Sequence, residues 1–325
     1  MHVQRRPLIA SGLLFAAHGT LLAQTPDKVW RIGVLSTLPG PDGTFRAFVE
    51  GLRALGYVEG RNISFEYRWA AGKIDRLPDL ARELALLKVD VILASTGPAA
   101  IAAKRATSSV PVVMVTVPDP VAMGLVASLG RPGGNVTGTT NMSTDLAGKS
   151  LQLLREWFPK STRIAVLVWK GAPATPLYLE LLQAAAQATG VTLVVQQENQ
   201  PEALAAAFAG MQNERAQALL VQVSPFTFEH RKQIVELAAQ HRLPAVFAAR
   251  EFVEVGGLMS YGPSQHELMR RAAYFVDRIF KGDKPADLPV EQPTRFEITL
   301  NVKTAKALGI TIPQSLLLRA DEVIQ

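Results

Sequence analysis

Short β-branched runs alternate with amphipathic helical stretches twice along this chain, and that rhythm restricts the fold more than any other feature. Strands separated by helices pair in parallel, and helices cover both faces of the sheet. In the first series Trp30 to Leu35 reads as a buried strand. Phe45, Phe48, Val49 and Leu52 then recur at helical spacing, and Gly56 ends that helix where a left-handed backbone is wanted. Strands at Asn62 to Trp69, Val89 to Ala94, Val112 to Val117 and Val136 to Thr140 are interleaved with helices at Leu77 to Leu87 and Pro98 to Ala106. The second series has helices at Leu146 to Trp157, Leu177 to Thr189, Pro201 to Met211 and Phe228 to His241. Its strands lie at Arg163 to Val168, Val191 to Gln196, Ala218 to Val223 and Ala245 to Ala248, with an extended piece at Leu258 to Tyr261. A long helix at Glu267 to Phe280, a strand at Phe296 to Asn301 and a short helix at Val302 to Leu308 close the chain. With 325 residues, 48% of them hydrophobic, the chain exceeds what one small core needs. The expectation is an α/β protein of two doubly wound parallel-sheet lobes joined by a multi-strand hinge. Lobe 1 is assigned residues 29–141 plus 260–290, and lobe 2 residues 142–259 plus 291–325, because the late elements return to complete both lobes.

The N-terminal segment points to export. Arg5 and Arg6 precede an apolar stretch from Leu8 to Ala17; His18, Gly19 and Thr20 interrupt it, and Leu21, Leu22 and Ala23 follow before the polar Gln24 to Asp27. This order of charged, apolar and small residues predicts a signal peptide over residues 1–23, cleaved after Ala23. The apolar part is too short to anchor in a bilayer. Arg5-Arg6 leaves the twin-arginine route open beside the general one. The expected location is the periplasm. The chain has no cysteine, which excludes disulfides, thiolate metal sites and lipid attachment at a cysteine. The net charge of +6 is spread among carboxylates rather than gathered in a run, which argues against a nucleic-acid partner.

Catalytic signatures fail. Gly148-Lys149-Ser150 lacks the glycine five positions earlier that a phosphate loop requires, since Ser143 stands there; it reads as a helix start capped by Ser143 or Thr144. His266-Glu267 lacks the second zinc-binding histidine, which is replaced by Arg270. No dinucleotide fingerprint or serine elbow is present. What remains are turns at the carboxyl ends of the expected strands, where open α/β sheets bind ligands. These contribute the candidate ligand-binding residues Ser36, Thr37, Ser95, Thr96, Gly97, Thr116 and Asp119 in lobe 1, and Trp169, Ser224 and Arg250 in lobe 2, with Tyr261 at a crossing between lobes. Thr96-Gly97-Pro98 offers a hydroxyl and free amides at a helix start, a seat for a carboxylate or simply a cap. Asp119 can cap a short helix, and Arg250 can meet an anion or pair with Glu251 or Glu254. Phe45, Trp169, Phe226 and Tyr261 could cover an apolar body.

Four long stretches carry a resemblance. They are LGYVEGRNISFEYRWAAGKIDRLPDLARELA from Leu55, DPVAMGLVASLGRPGGNVTGTTN from Asp119, REFVEVGGLMSYG from Arg250 and LPVEQPTRFEITLNVKTAKALGITIPQSLLLRADEVI from Leu288. With them the chain resembles the ABC transporter substrate-binding proteins of type 1 periplasmic-binding fold, some of which are associated with tryptophan or tyrosine transport. The resemblance implies a two-lobed receptor that captures a small-molecule solute and delivers it to an ABC permease, with no cofactor and no catalysis; a monomer is expected. It places Ser36, Thr37, Thr96, Gly97 and Thr116 to Asp119 in lobe-1 ligand loops, and Ser224, Arg250 and Tyr261 toward the cleft. The chain departs from many relatives at Ser224-Pro225-Phe226, where they carry an acidic residue suited to an amine. A ligand-presenting sensor module, or an enzyme on a similar scaffold, are the competing readings.

Overall fold

A computed structural model describes residues 28–325; the expected signal peptide lies outside them. The first series builds β1 (Trp30–Ser36), α1 (Gly43–Ala54), β2 (Ile63–Trp69), α2 (Leu77–Leu86), β3 (Val91–Ala94), α3 (Gly97–Ala106), β4 (Val112–Val117) and β5 (Val136–Thr140). The second builds α4 (Ala147–Trp157), β6 (Arg163–Trp169), α5 (Thr175–Thr189), β7 (Thr192–Glu198), α6 (Leu204–Asn213), β8 (Ala218–Val221), α7 (Pro225–Glu229), α8 (Arg231–Gln240), β9 (Ala245–Phe247), α9 (Arg250–Glu254) and β10 (Met259–Gly262). The closing elements are α10 (Gln265–Phe280), β11 (Glu297–Asn301), α11 (Val302–Leu308), α12 (Gln314–Leu317) and β12 (Glu322–Ile324).

These form two sheets. One has five parallel strands in the order β2-β1-β3-β4-β5. The other has seven, ordered β12-β11-β10-β9-β8-β6-β7, and is parallel except where β10 meets β11. Side chains alternate across each strand, so every sheet has two cores. Ile32 and Val34 of β1 pack with Phe48 of α1 and Phe275 of α10, whereas Leu35 faces Leu84 of α2 and Ala99 of α3. In β6, Val166 and Val168 face Leu154 of α4 and Leu182 of α5; Leu167 and Trp169 face Phe208 of α6 and Ile234 of α8. Each fully buried side chain of this size contributes about 1.5–3 kcal/mol. The expected α/β class with two doubly wound sheets is what the structure has.

The chain passes between the sheets after β5, after β10 and before β11. The last passage is tied to β5: Thr137 Oγ1 donates to Leu288 O (2.6 Å), Glu291 N to Gly138 O (2.9 Å) and Thr140 N to Glu291 O (3.0 Å). The segment returning to lobe 1 starts later than residue 260. Ser260 pairs with Phe247 and Thr299, and Tyr261 with Ile298, all in the second sheet; α10 is the first returning element.

Local differences have local causes. The helix expected over Phe228 to His241 is two helices. A capping box between Ser224 and Thr227 starts α7 early, and His230, with ψ near 19°, breaks the run before α8. Neither Ser143 nor Thr144 caps α4: Leu146 stands at the cap position with no side-chain bond, and the Thr144 hydroxyl is buried without a partner among the described residues. Gly56 does take the left-handed backbone (φ 90°) just past α1.

Candidate functional site

The carboxyl ends of both sheets face one another across a cavity. From lobe 1 come the turn after β1 and the start of α1 (Leu38, Asp42, Phe45), Trp69 at the end of β2, Ser95 to Pro98 between β3 and α3, and Thr116 at the end of β4. From lobe 2 come Trp169 and Ala172 after β6, and Gln222 to Pro225 after β8, with Phe228 of α7. Gln265 and Met269 of α10 close the hinge side.

Local chemistry fixes each wall. Phe65, Tyr67 and Trp69 follow one another at the two-residue period of β2. Tyr67 stacks on Trp69 (centroids 5.9 Å), and Phe45 packs edge-on against Trp69 at 6.1 Å. Thr96 caps α3 by accepting the Ala99 amide (3.3 Å), which leaves its hydroxyl proton and the Gly97 N–H free for another partner. Thr116 has a left-handed backbone (φ 57°) where the β4–β5 register shifts. Such strain in a non-glycine residue costs about 1–3 kcal/mol and is found where a side chain is re-aimed at a site. Thr116 Oγ1 accordingly donates to Ser95 O (3.1 Å), and Asn141 Nδ2 to Thr116 O (3.3 Å). In lobe 2, Thr175 Oγ1 lies within hydrogen-bond distance of Trp169 O (3.0 Å) and Gln222 Oε1 (3.1 Å), which ties the β6 and β8 ends together.

Seven sequence candidates therefore line one cavity: Phe45, Ser95, Thr96, Gly97 and Thr116 from lobe 1, and Trp169 and Ser224 from lobe 2. The others lie elsewhere. Ser36 is buried, and its Oγ accepts the Leu38 amide (3.2 Å). Thr37 is buried beside a second cavity shared with Glu229 and His230, and its hydroxyl has no partner among the described residues. Asp119 caps a turn through Val121 N (3.1 Å) and Ala122 N (2.9 Å). Arg250 is taken up by Glu254 and Glu322, both at 2.9 Å, so it is not a free anion receptor. Tyr261 packs on Phe296 and the lobe-2 core, and Phe226 belongs to the core beside His230. Glu251 is buried without a hydrogen bond, 3.6 Å from His266 Nδ1 of α10, and is absent from the cavity wall. Sequence reasoning missed Asp42, Trp69, Asn141 and Gln222. The carboxyl-end rule that found the others also reaches Trp69 and Gln222, at the ends of β2 and β8.

The chain is similar to known substrate-binding proteins over most of its length. The tyrosine-binding protein of Clostridioides difficile (strain R20291) is 27% identical over 273 residues, covering 84% of this chain and 78% of the relative. The crystal structure of an ABC domain from Streptococcus pneumoniae in complex with L-Trp has 27% identity and a TM-score of 0.84, covering 91% of this chain and all of that one. The ligand-free, open structure of a substrate-binding protein from Clostridium difficile, also 27% identical with the same coverage, gives 0.67. The architecture is that of type 1 periplasmic-binding proteins. Family and relatives bind solutes and are not enzymes, and they imply a small-molecule ligand and an ABC transporter as partner. Residues 31–324 match the profile described as ABC transporter substrate binding protein, and the chain belongs to that family.

Proposed function

We propose that this chain is the exported solute-capturing subunit of an ABC import system. It closes its lobes on a small carboxylate-bearing solute with an aromatic or apolar body and delivers it to a membrane permease. The observation that carries this reading is the interlobe cavity, walled by Phe45, Trp69, Trp169 and Phe228, with the start of α3 at one side. Aromatic faces cover an apolar body. Free amides and the positive end of the α3 dipole favour a carboxylate at Thr96-Gly97. The similarity to a tyrosine-binding protein and to an L-Trp complex supports the same ligand chemistry. A ligand touching both lobes stabilises the closed form by its differential affinity for it. Arg5-Arg6 and the apolar run from Leu8 support export to the periplasm.

The carboxylate seat is tested by substitution. Calorimetry with the bound solute is expected to show Thr96→Val weakening affinity by about tenfold or more, equivalent to about 1.4 kcal/mol, while Thr96→Ser stays near the parent. The valine also removes the α3 cap, at a stability cost of about 1 kcal/mol, so melting curves accompany the titration. Unchanged affinity in Thr96→Val, or a natural ligand with no anionic group, contradicts the assignment.

A further inference from the structure

The cavity wall holds an unbalanced charge. Among the described residues that line it, Asp42 alone is ionisable to a full charge; no Lys, Arg or His stands beside it in the wall. Asp42 is the N-cap of α1, and that duty engages one carboxylate oxygen. Oδ1 accepts from Phe45 N (3.0 Å) and Thr44 Oγ1 (2.7 Å), while no donor among the described residues reaches Oδ2. Two cationic side chains come near Gly43, Arg46 one turn along α1 and His266 of α10, yet neither makes an ion pair with Asp42 among the described residues; His266 lies beside Glu251 instead. An ionised carboxylate that loses water when the lobes close needs a cation or strong donor in return. The surroundings suit a cation a second time, because Phe45, Trp69, Trp169 and Phe228 are aromatic, and ring faces attract ammonium groups. Lobe 2 supplies no competing carboxylate in this wall. Its polar groups there are Gln222, tied to Thr175, and Ser224, whose hydroxyl lies 3.0 Å from Thr227 Oγ1 within the α7 capping box.

We propose that Asp42 is a specificity-determining residue that receives an ammonium group of the solute, so that the ligand spans the cavity as a zwitterion with its amine at Asp42 and its carboxylate at Thr96-Gly97. This rests on the capture role proposed above and adds the positive group to the ligand. It also assigns the amine to lobe 1, on the α1 cap, rather than to the lobe-2 turn at Ser224.

The test compares wild type with Asp42→Asn. Asparagine caps a helix as well as aspartate does, so α1 keeps its acceptor while the charge is lost. Asp42→Ser, which also caps, serves as the second neutral variant, and melting curves confirm that both fold. Each protein is titrated with L-tryptophan and L-tyrosine, which carry both charges, and with indole-3-propionate and 3-(4-hydroxyphenyl)propionate, which lack the amine. Wild type is expected to bind at least one amino acid about tenfold to a hundredfold more tightly than its deaminated partner. Both variants lose that preference by weakening amino-acid binding alone. If the neutral variants bind the amino acids as wild type does, or if wild type prefers the deaminated acids, the role of Asp42 is overturned while solute capture stands. If wild type binds no member of the panel, the aromatic-carboxylate reading falls and takes the Asp42 assignment with it.

Discussion

Glutamine at position 251 is expected to make the protein more stable than wild type at pH 8 by about 3 kcal/mol, and to leave it nearly unchanged near pH 5. Glu251 is 5% exposed, neither carboxylate oxygen has a hydrogen-bond partner among the described residues, and burial pushes its pKa up to about 7. The lesser influences are its own backbone amide, which lowers the pKa, then Glu254, which adds to the rise, and Arg250 and Arg231, which oppose it. His266 Nδ1, facing it from α10 at 3.6 Å, is too far for a good hydrogen bond and gives an ion pair only when protonated. A carboxyl group with a folded pKa above its unfolded value, here about 7 against 4.5, holds its proton longer in the native state. Stability from this group is therefore full below about pH 4.5, declines as pH rises toward 7, and stays reduced above it. The shift corresponds to about 3 kcal/mol. Denaturant unfolding of wild type and Glu251→Gln at several pH values measures the difference directly. Parallel pH profiles would show that Glu251 ionises normally in the folded chain.

A larger loss is expected from Gly138→Ala. Gly138 in β5 has φ 131°, and a Cβ there would stand 2.0 Å from Met114 O and 2.8 Å from Met114 N of the neighbouring strand. Both obstacles are backbone, so no rotamer change relieves them; β4 and β5 must separate or shift. Gly138 O also accepts from Glu291 N, so the shift reaches the last passage between the lobes. Destabilisation of about 4 kcal/mol or more is expected, in the range reserved for specific structural faults. Solute affinity should fall too, because β4 carries Thr116 into the cavity wall. A melting temperature within a few degrees of wild type would mean that the β4–β5 pairing is looser than described.

The elements that alternation makes legible are those long enough to show a period. α1 and α10 were readable because apolar residues recur along them at helical spacing, and β1 and β6 because each is a short apolar run. α9, α12 and β12 span only five, four and three residues, less than two turns or two strand periods, and leave no such signal. The same limit applies at the site. Thr96 was readable because a hydroxyl before Gly-Pro announces a helix start, and Trp169 because it ends a strand. Arg250 stayed open between an anion and a neighbouring carboxylate because Glu254 was foreseeable, whereas its second partner, Glu322, is 72 positions away and belongs to an unforeseen strand. Asp42 was missed because capping explains it fully; only the cavity shows that one of its oxygens has something left to do.

The central claim, capture of one small solute between the lobes, is tested most directly by native mass spectrometry. The protein is purified without denaturation, incubated with a metabolite extract and compared with Ala172→Trp, in which an indole fills space at the lobe-2 wall. The account predicts a single organic adduct at one per chain in wild type, absent from the variant. An adduct retained by Ala172→Trp, or a wild-type chain that carries no solute from any extract, would contradict it.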